Sequence, residues 1–152
     1  MTIKTLMTNE QLILNSQRFS KYLTSRDAAV ANGYLEKVKE ENFLTLQTIK
    51  FKSPMTGLIL GWFLGAFGGG AFYAKKIGFG TAQVIAFLLY IACMVLSMTL
   101  FANGSIDFET YSLLLACSAP IMWILYIIGL ACVWKWVKKY NFQKLMEILP
   151  LL

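Results

Sequence analysis

Residues 81–102 read TAQVIAFLLYIACMVLSMTLFA, and none of these 22 side chains carries a charge. Two further apolar runs flank this stretch, one over residues 55–74 and the other over residues 111–134. Each run has 20 to 24 residues, and a helix needs about 20 to cross the roughly 30 Å hydrocarbon core of a bilayer. A soluble domain of this size rarely has an interior large enough for three such helices. We therefore predict an all-α integral membrane protein, a helical bundle with three apolar segments.

Charge is scarce in this chain and is confined to particular regions. Of the 152 residues, 57% are hydrophobic and 14% are charged, whereas about a quarter of the residues of a typical soluble domain are charged. Residues 55–134 form the predicted membrane domain, with a polar region before it over residues 1–54 and a tail after it over residues 135–152. The charged side chains of the predicted membrane domain are Lys75, Lys76, Asp107 and Glu109.

The polar N-terminal region has the pattern of two short amphipathic helices. Thr8 and Gln11 have the spacing of a capping box that starts the first helix, and Ser25 is the candidate cap of the second. We expect these helices to lie against the membrane or to fold as a small cap, and the alternative is a docking module for a protein partner. The tail is also amphipathic over residues 140–149, and we expect it to lie at the membrane interface.

Glycines recur at every fourth position of the first apolar run. On one helix they would form a continuous smooth stripe, and small residues at this spacing allow membrane helices to pack closely. The pattern leaves open whether that contact is within the chain or between subunits. The triple glycine over residues 68–70 predicts that the helix bends or ends near Gly70, because each glycine weakens a helix by about 1 kcal/mol. The predicted helix-packing residues are Gly57, Gly61, Gly65 and Gly69.

Lysines and tryptophans at the ends of the apolar runs are typical of interfacial anchors. If all three runs cross the bilayer, four basic residues lie on one side and six on the other, which defines no orientation. If the first run enters and returns, all ten share one side and only Asp107 and Glu109 lie opposite. We favour this second arrangement, with both termini cytoplasmic in a multi-pass cell-membrane protein. The predicted anchors are Lys50, Lys52, Lys75, Lys76, Trp134, Lys135, Trp136, Lys138 and Lys139.

Short motifs follow one another through the chain in the order Lys52-Ser53-Pro54, Phe72-Tyr73, Gly78-Phe79-Gly80, Ile121–Leu125 and Lys139–Met146. This series, over roughly residues 48–149, resembles the TM-two domain family, small membrane proteins described as two helices joined by a short turn. The resemblance implies a bacterial inner-membrane location and a non-enzymatic module. The family's Asp-Arg pair before Phe-Tyr is replaced here by Gly70-Ala71, so the charged turn motif is missing. The stretch over residues 81–134 is also too long for a single helix.

The sequence lacks the residue clusters on which metal sites and many enzymes depend. It contains no histidine and no clustered carboxylates, which disfavours a metal site, and it offers no nucleophile–base pair for acyl transfer. We predict that the protein is not an enzyme, has no cofactor and does not bind nucleic acid. Its net charge of +6 comes from basic residues at membrane edges, where anionic lipid is the simpler partner. Most polar side chains of the apolar runs are expected to bond between helices, and they are Thr81, Gln83, Ser97, Thr99, Ser112 and Ser118.

Two functions of different classes fit these features. In the first, the chain is an accessory or protective membrane protein, such as an immunity protein or a subunit of a complex. It would bind another protein through its helices or through its cytoplasmic N-terminal region. In the second, it associates with itself through the glycine stripe and forms a pore or permeabilises the membrane. We favour the first, and the expected partners are membrane lipid and either a protein partner or further copies of the chain.

Overall fold

The computed structural model describes residues 7–149, and every regular element in that range is helical. The predicted all-α class is therefore confirmed over the described range. The first six residues of the predicted N-terminal region and the last three residues of the predicted tail lie outside it. The elements in chain order are α1 (Asn9–Tyr22), α2 (Ser25–Leu35), a 3-10 helix (Glu40–Asn42), α3 (Phe43–Thr48), α4 (Pro54–Leu64), α5 (Gly69–Tyr73), α6 (Ile77–Ala102) and α7 (Phe108–Ile148).

The chain divides into two compact units, and its two ends belong to the same one. The first, here called the terminal unit, consists of the described parts of residues 1–56 and 135–152. The second, here called the apolar unit, comprises residues 57–134. The predicted limits of the membrane domain, 55 and 134, lie within two residues of this division. The fold nevertheless joins the N-terminal region and the tail, which the sequence pattern presents as separate regions.

Local caps determine where the first two helices begin. The predicted capping box of α1 is confirmed: Thr8 Oγ1 accepts a hydrogen bond from the Gln11 amide at 3.4 Å, and the Thr8 amide donates to Gln11 Oε1 at 3.0 Å. The predicted cap at Ser25 is wrong by one residue. Thr24 has the extended backbone of a cap, and its hydroxyl accepts from the Asp27 amide at 3.2 Å, so Ser25 is the first residue of α2.

The core of the terminal unit combines side chains from both ends of the chain. Fully buried side chains come from α1, α2, α3 and the C-terminal part of α7, and burial of each contributes roughly 1.5–3 kcal/mol. The tail over residues 140–149 packs its apolar face in this core, so that face is covered by protein and not by lipid. The largest fully buried apolar side chains of this core are Phe19, Leu23, Leu35, Leu46 and Leu145.

A buried asparagine joins three parts of the terminal unit. Asn141 on α7 has no solvent exposure, and its Nδ2 donates to the carbonyl oxygens of Tyr22 at 3.1 Å and Lys52 at 2.8 Å. Its Oδ1 accepts from the Lys52 amide at 2.9 Å. The partners lie 89 and 119 residues away in the sequence. Because each polar atom of this buried side chain is bonded, Asn141 fixes the end of α1 and the segment before α4 to α7.

Arg18 on α1 binds the backbone at the end of α3. Its guanidinium donates to the carbonyl oxygens of Leu46 and Gln47, each at 3.1 Å, and to that of Ile49. The last carbonyls of a helix have no partner within the helix, and a cation there also offsets the helix dipole. The same guanidinium lies over the Phe51 ring, 5.1 Å from its centroid. These contacts hold the segment between α3 and α4 in place.

Two helices, α6 and α7, are long and apolar enough to cross a membrane. In each, only 6% of the most apolar 18-residue window is buried within the structure. The first apolar segment, residues 55–74, has no helix of this length. α4 contains 11 residues and so rises about 16 Å, which is about half of a hydrocarbon core. A third helix of membrane-spanning length is absent from residues 7–149, and the sequence pattern leaves open whether this segment crosses or re-enters.

The first apolar segment turns back at its glycine-rich stretch. α4 ends at Leu64, and Gly68 has a φ of +70°, a left-handed conformation that glycine adopts without strain. α5 then begins at Gly69 and passes close to α4, since a Cβ built on Gly70 would lie 2.9 Å from the Cα of Gly61. The run therefore bends, as predicted, although the helix ends at Leu64 rather than near Gly70.

Candidate functional site

The four glycines of the predicted stripe do not lie on one helix. Gly57 and Gly61 are in α4, Gly65 is in the turn that follows, and Gly69 is the first residue of α5. The prediction of one continuous stripe is therefore wrong. A spacing of four residues is also compatible with a helix that stops at Leu64 and a second helix that begins after a turn.

These glycines lie at close approaches within the apolar unit. A Cβ on Gly70 would lie 2.9 Å from the Gly61 Cα and 3.1 Å from the Gly57 carbonyl oxygen, so α5 packs on the backbone of α4. A Cβ on Gly65 would collide with the Tyr126 ring of α7. Each of these contacts is within the chain, so the glycines serve internal packing.

Gly70, Gly80 and Gly129 also lie at close contacts, and they fall outside the four-residue spacing. Besides Gly70, a Cβ on Gly80 would lie 2.8 Å from the Phe72 ring, and one on Gly129 would lie 2.6 Å from Gln83 Nε2. Each faces a different element of the apolar unit. No single period along the sequence could have identified them, because their roles depend on which helices the fold brings together.

Gln83 forms a hydrogen bond between the two long helices. It is 4% exposed, and its Nε2 donates to the Leu125 carbonyl oxygen at 3.1 Å. The expectation that most polar side chains of the apolar runs bond between helices is wrong for four hydroxyls. A serine or threonine hydroxyl on a helix can reach a carbonyl oxygen of its own preceding turn, and these do so three residues back. They belong to Ser97, Thr99, Ser112 and Ser118.

Tyr126 satisfies the backbone where α4 ends. Its hydroxyl, on α7, donates to the Trp62 carbonyl oxygen at 3.1 Å. The last carbonyls of a helix lack partners within the helix, and an unbonded carbonyl in apolar surroundings costs several kcal/mol. This bond therefore stabilises the point at which the first apolar segment turns back.

The predicted interfacial anchors lie beside α4 and α6 and inside α7. Two precede α4, two separate α5 from α6, and five lie on α7. Within the terminal unit, Lys144 Nζ donates to the Lys50 carbonyl oxygen at 3.0 Å, and Lys52 Nζ lies 4.6 Å from the Tyr140 ring centroid. The anchors, in the order of those three groups, are Lys50 and Lys52, then Lys75 and Lys76, then Trp134, Lys135, Trp136, Lys138 and Lys139.

A groove between α1 and α2 is the strongest candidate for a binding site in the terminal unit. It has a volume of about 190 Å³. Asn32 lines it, and Asn32 Oδ1 is buried with no hydrogen-bond partner among the residues that the structure describes. The residues that line the groove are Leu12, Ile13, Ser16, Asn32, Leu35 and Glu36.

The unpartnered oxygen belongs to a side chain that lines the groove, and the oxygen itself is closed to solvent. A buried acceptor without a donor is uncommon in folded proteins and costs about 1–3 kcal/mol. The Ser16 hydroxyl does not serve it, because this hydroxyl donates to the Ile13 carbonyl oxygen at 2.9 Å. Glu36 is the charged residue of the lining, so a positively charged donor suits the groove. One local feature of the sequence lies here, the pair Asn32-Gly33, and it predicts only a weak point in a helix.

Large apolar side chains on the same two helices face solvent. Ile13 and Leu14 on α1 are 54% and 56% exposed, and Val30 and Tyr34 on α2 are 44% and 41% exposed. Single exposed apolar residues are common on protein surfaces, whereas clusters of them mark sites of interaction. The groove therefore lies on helices that also carry exposed apolar side chains.

Asp107 lies in the loop after α6, directly before α7 begins at Phe108. Its Oδ1 accepts a hydrogen bond from the Thr110 amide at 3.0 Å. The side-chain and backbone hydrogen bonds from Thr110 lower the pKa of the Asp107 carboxyl below its usual value of 3.8. The carboxylate also lies at the positive end of the α7 dipole, where a negative charge is favourable.

Among residues 7–149 there is no group of three or more histidine, cysteine, aspartate or glutamate side chains that could hold a metal ion. The three cysteines, Cys93, Cys117 and Cys132, are free thiols. The features of residues 7–149 that remain as candidates for a function are therefore the groove, the close glycine contacts and the lysines. In comparisons with known proteins, no protein-family model, no curated protein and no solved structure matches the chain.

Proposed function

We propose that the chain is a non-enzymatic integral protein of the bacterial inner membrane, with an accessory or protective role, whose terminal unit binds a protein partner. The lengths of α6 and α7 and the small buried share of their apolar windows support the membrane location. In water, side chains such as Leu89 and Ile127 would face solvent, since they are 65% and 59% exposed. Lipid would remove this apolar area from water at about 25 cal/mol per Å².

We propose further that α6 and α7 cross the bilayer, while α4 and α5 re-enter and return to the side of the termini. Ten membrane-proximal basic residues then share that side, and Asp107 and Glu109 lie opposite. The positive-inside rule assigns such a basic side to the cytoplasm. Irregular backbone at membrane depth requires cover by protein, and the contact between Gly61 and Gly70 and the Tyr126 hydrogen bond supply it.

Cysteine labelling in intact cells tests this orientation. In a variant without the native cysteines, Ser105→Cys lies in the loop after α6 and should react with a membrane-impermeant maleimide. Lys139→Cys, which replaces an exposed lysine of the terminal unit, should react only after the membrane is permeabilised. Labelling of the second variant alone in intact cells would reverse the proposed orientation, and equal labelling of both would contradict a crossing by α6 and α7.

The observation that supports partner binding is that Asn32 Oδ1 is buried and has no hydrogen-bond partner among the described residues. We propose that a partner protein inserts a lysine or arginine side chain into the groove. The aliphatic stem would contact Leu12 and Leu35, and the charged head would donate to Glu36 and, once the Asn32 side chain turns its buried oxygen into the groove, to Asn32. The exposed apolar residues of α1 and α2 would supply the surrounding contact.

Site-specific crosslinking tests the partner and its location together. A photo-reactive residue at Ile13, in the full chain in its native membrane, should form one discrete adduct. The same residue at Leu44, which is 70% exposed on α3 but does not line the groove, should not. The purified partner should then bind Glu36→Gln at least about fivefold more weakly, which corresponds to roughly 1 kcal/mol. Equal amounts of adduct at both positions would contradict the proposal. So would an affinity for the partner that is the same in the native chain and in Glu36→Gln.

The alternative of a self-associating pore has less support. The glycines on which it would depend pack against the chain's own α4, α5 and α7. Expression of the chain alone is expected to leave the membrane potential and growth rate unchanged. Depolarisation on expression would favour the pore instead.

The relation to the TM-two domain family is also a proposal. It is supported by Lys52-Ser53-Pro54, which leads into α4, and by Gly78-Phe79-Gly80 in the first turn of α6. The family itself adds little biochemical function, so the proposed role depends on the groove and not on the resemblance.

A further inference from the structure

The terminal unit is strongly polarised in charge. Its portion over residues 7–42 is balanced, with five basic and five acidic side chains. Its remaining portions, residues 43–56 and 135–149, hold six lysines and one acidic residue, Glu147. The net charges of the two portions are therefore zero and +5. The six lysines, here called the lysine surface, are Lys50, Lys52, Lys135, Lys138, Lys139 and Lys144.

The fold brings together lysines that are far apart in the sequence. Lys144 Nζ donates to the Lys50 carbonyl oxygen at 3.0 Å, over a separation of 94 residues. Lys52 Nζ lies 4.6 Å from the Tyr140 ring centroid, and Asn141 bonds both the amide and the carbonyl of Lys52. The segment before α4 is thus fixed beside the lysine-bearing end of α7. The sequence alone did not indicate this convergence.

Like charges that the fold holds close together repel each other. Lys135 and Lys139 are exposed and are four residues apart on α7, a spacing at which like charges destabilise a helix. A salt bridge between Lys39 and Glu41, at 3.4 Å, lies in the balanced portion. The lysine surface therefore favours a ligand that supplies several negative charges.

We propose that the lysine surface binds the headgroups of anionic phospholipids, an inference that rests on the proposed membrane location. Lys50 and Lys52 lie within four residues of Pro54, where α4 begins, and Lys135 directly follows the apolar run that ends at Trp134. Headgroup phosphates occupy the bilayer edge at that depth. Lysine stems can extend along apolar surface while the ammonium reaches a phosphate. A membrane surface with anionic lipid attracts each such lysine.

Lipid selectivity in nanodiscs tests the inference with the full chain. The protein is reconstituted in phosphatidylcholine with either brominated phosphatidylglycerol or brominated phosphatidylcholine, and quenching of its tryptophan fluorescence gives the relative affinity for the two lipids. Lys135→Gln combined with Lys139→Gln is expected to lower the preference for phosphatidylglycerol by about fivefold for each lysine removed. Lys21→Gln combined with Arg26→Gln removes the same charge from exposed positions of the balanced portion and should leave it unchanged.

The possible outcomes distinguish a failure of this inference from a failure of the proposed function. A chain that fails to enter nanodiscs contradicts the membrane location itself. A chain that enters but shows equal affinity for the two lipids, or an equal loss in both double variants, contradicts only the lysine surface. Inorganic phosphate should not abolish the preference more than chloride at equal ionic strength. If it does, the surface binds free phosphate and the lipid inference is wrong.

Discussion

Replacing Asn32 with leucine is expected to stabilise the fold and to weaken partner binding at the same time. Asn32 lies inside α2 and lines the groove, where its Oδ1 is buried without a partner. Leucine has a similar volume and removes the unpartnered acceptor. The groove would then offer an apolar wall where the proposed ligand requires a hydrogen-bond acceptor.

The expected size of the effect follows from two contributions. An unpartnered buried acceptor costs about 1–3 kcal/mol, and leucine is a better helix former than asparagine by a few tenths of a kcal/mol. Because the apolar replacement does not recover the whole cost, we expect the free energy of opening α2 to rise by about 1–2 kcal/mol. Amide hydrogen exchange in α2 of the full chain in nanodiscs should then slow by about 5- to 30-fold.

Gly33→Ala is the matched control for this variant. A Cβ on Gly33 meets no atom within 4 Å, so alanine there improves only helix propensity, by about 1 kcal/mol. Exchange in α2 should slow in both variants, whereas affinity for the purified partner should fall at least about fivefold only in Asn32→Leu. Faster or unchanged exchange in Asn32→Leu would refute the reasoning, because it would show that Oδ1 is satisfied in the native protein. Equal affinity in the two variants would refute the role of Asn32 in binding.

Three other perturbations test separate parts of the structure. Asn141→Ala removes three buried hydrogen bonds and should lower the free energy of unfolding of the terminal unit by about 3 kcal/mol or more, measured by denaturant titration in detergent. Gly70→Ala should destabilise the apolar unit by about 1–3 kcal/mol, because its Cβ meets fixed backbone, whereas Gly78→Ala, which meets no atom within 4 Å, should not lower the melting temperature. The pKa of Asp107 is lower in the folded chain, so its contribution to stability is present above the unfolded value and is lost as pH falls through the folded value. Exchange protection of the Thr110 amide should therefore decline below about pH 4, and Asp107→Ala should remove that dependence.

Local chemistry allowed part of the fold to be predicted from the sequence. The capping box of Thr8 and Gln11 depends on residues three apart, and the apolar runs that contain α6 and α7 depend on composition over about 20 residues. The prediction of one glycine stripe is wrong because a spacing of four residues does not require that all four glycines lie on one helix. The left-handed backbone at Gly68 separates α4 from α5 without disturbing the spacing of four.

Long-range contacts explain most of what the sequence did not reveal. Asn141 bonds Tyr22 and Lys52 across 119 and 89 residues, and no local pattern marks it as different from another polar residue of a tail. The groove depends on how α1 packs against α2, which decides that Asn32 Oδ1 is buried. The lysine anchors were evident from their positions beside apolar runs, but their convergence in the terminal unit required the fold.

The mixed origin of the terminal core has a consequence for the order of synthesis. Its side chains come from residues 7–49 and from Leu145 and Leu149 at the end of α7. At a translation rate of 5–20 residues per second, the ribosome needs roughly 5–20 s for the intervening stretch of about 100 residues. Throughout that interval Phe19 and Leu23 lack the neighbours that α7 provides. In the proposed membrane setting, insertion of α6 must therefore begin before the first helices of the chain can complete their core, and a nascent chain that stalls within α7 leaves apolar surface open to chaperones and proteases.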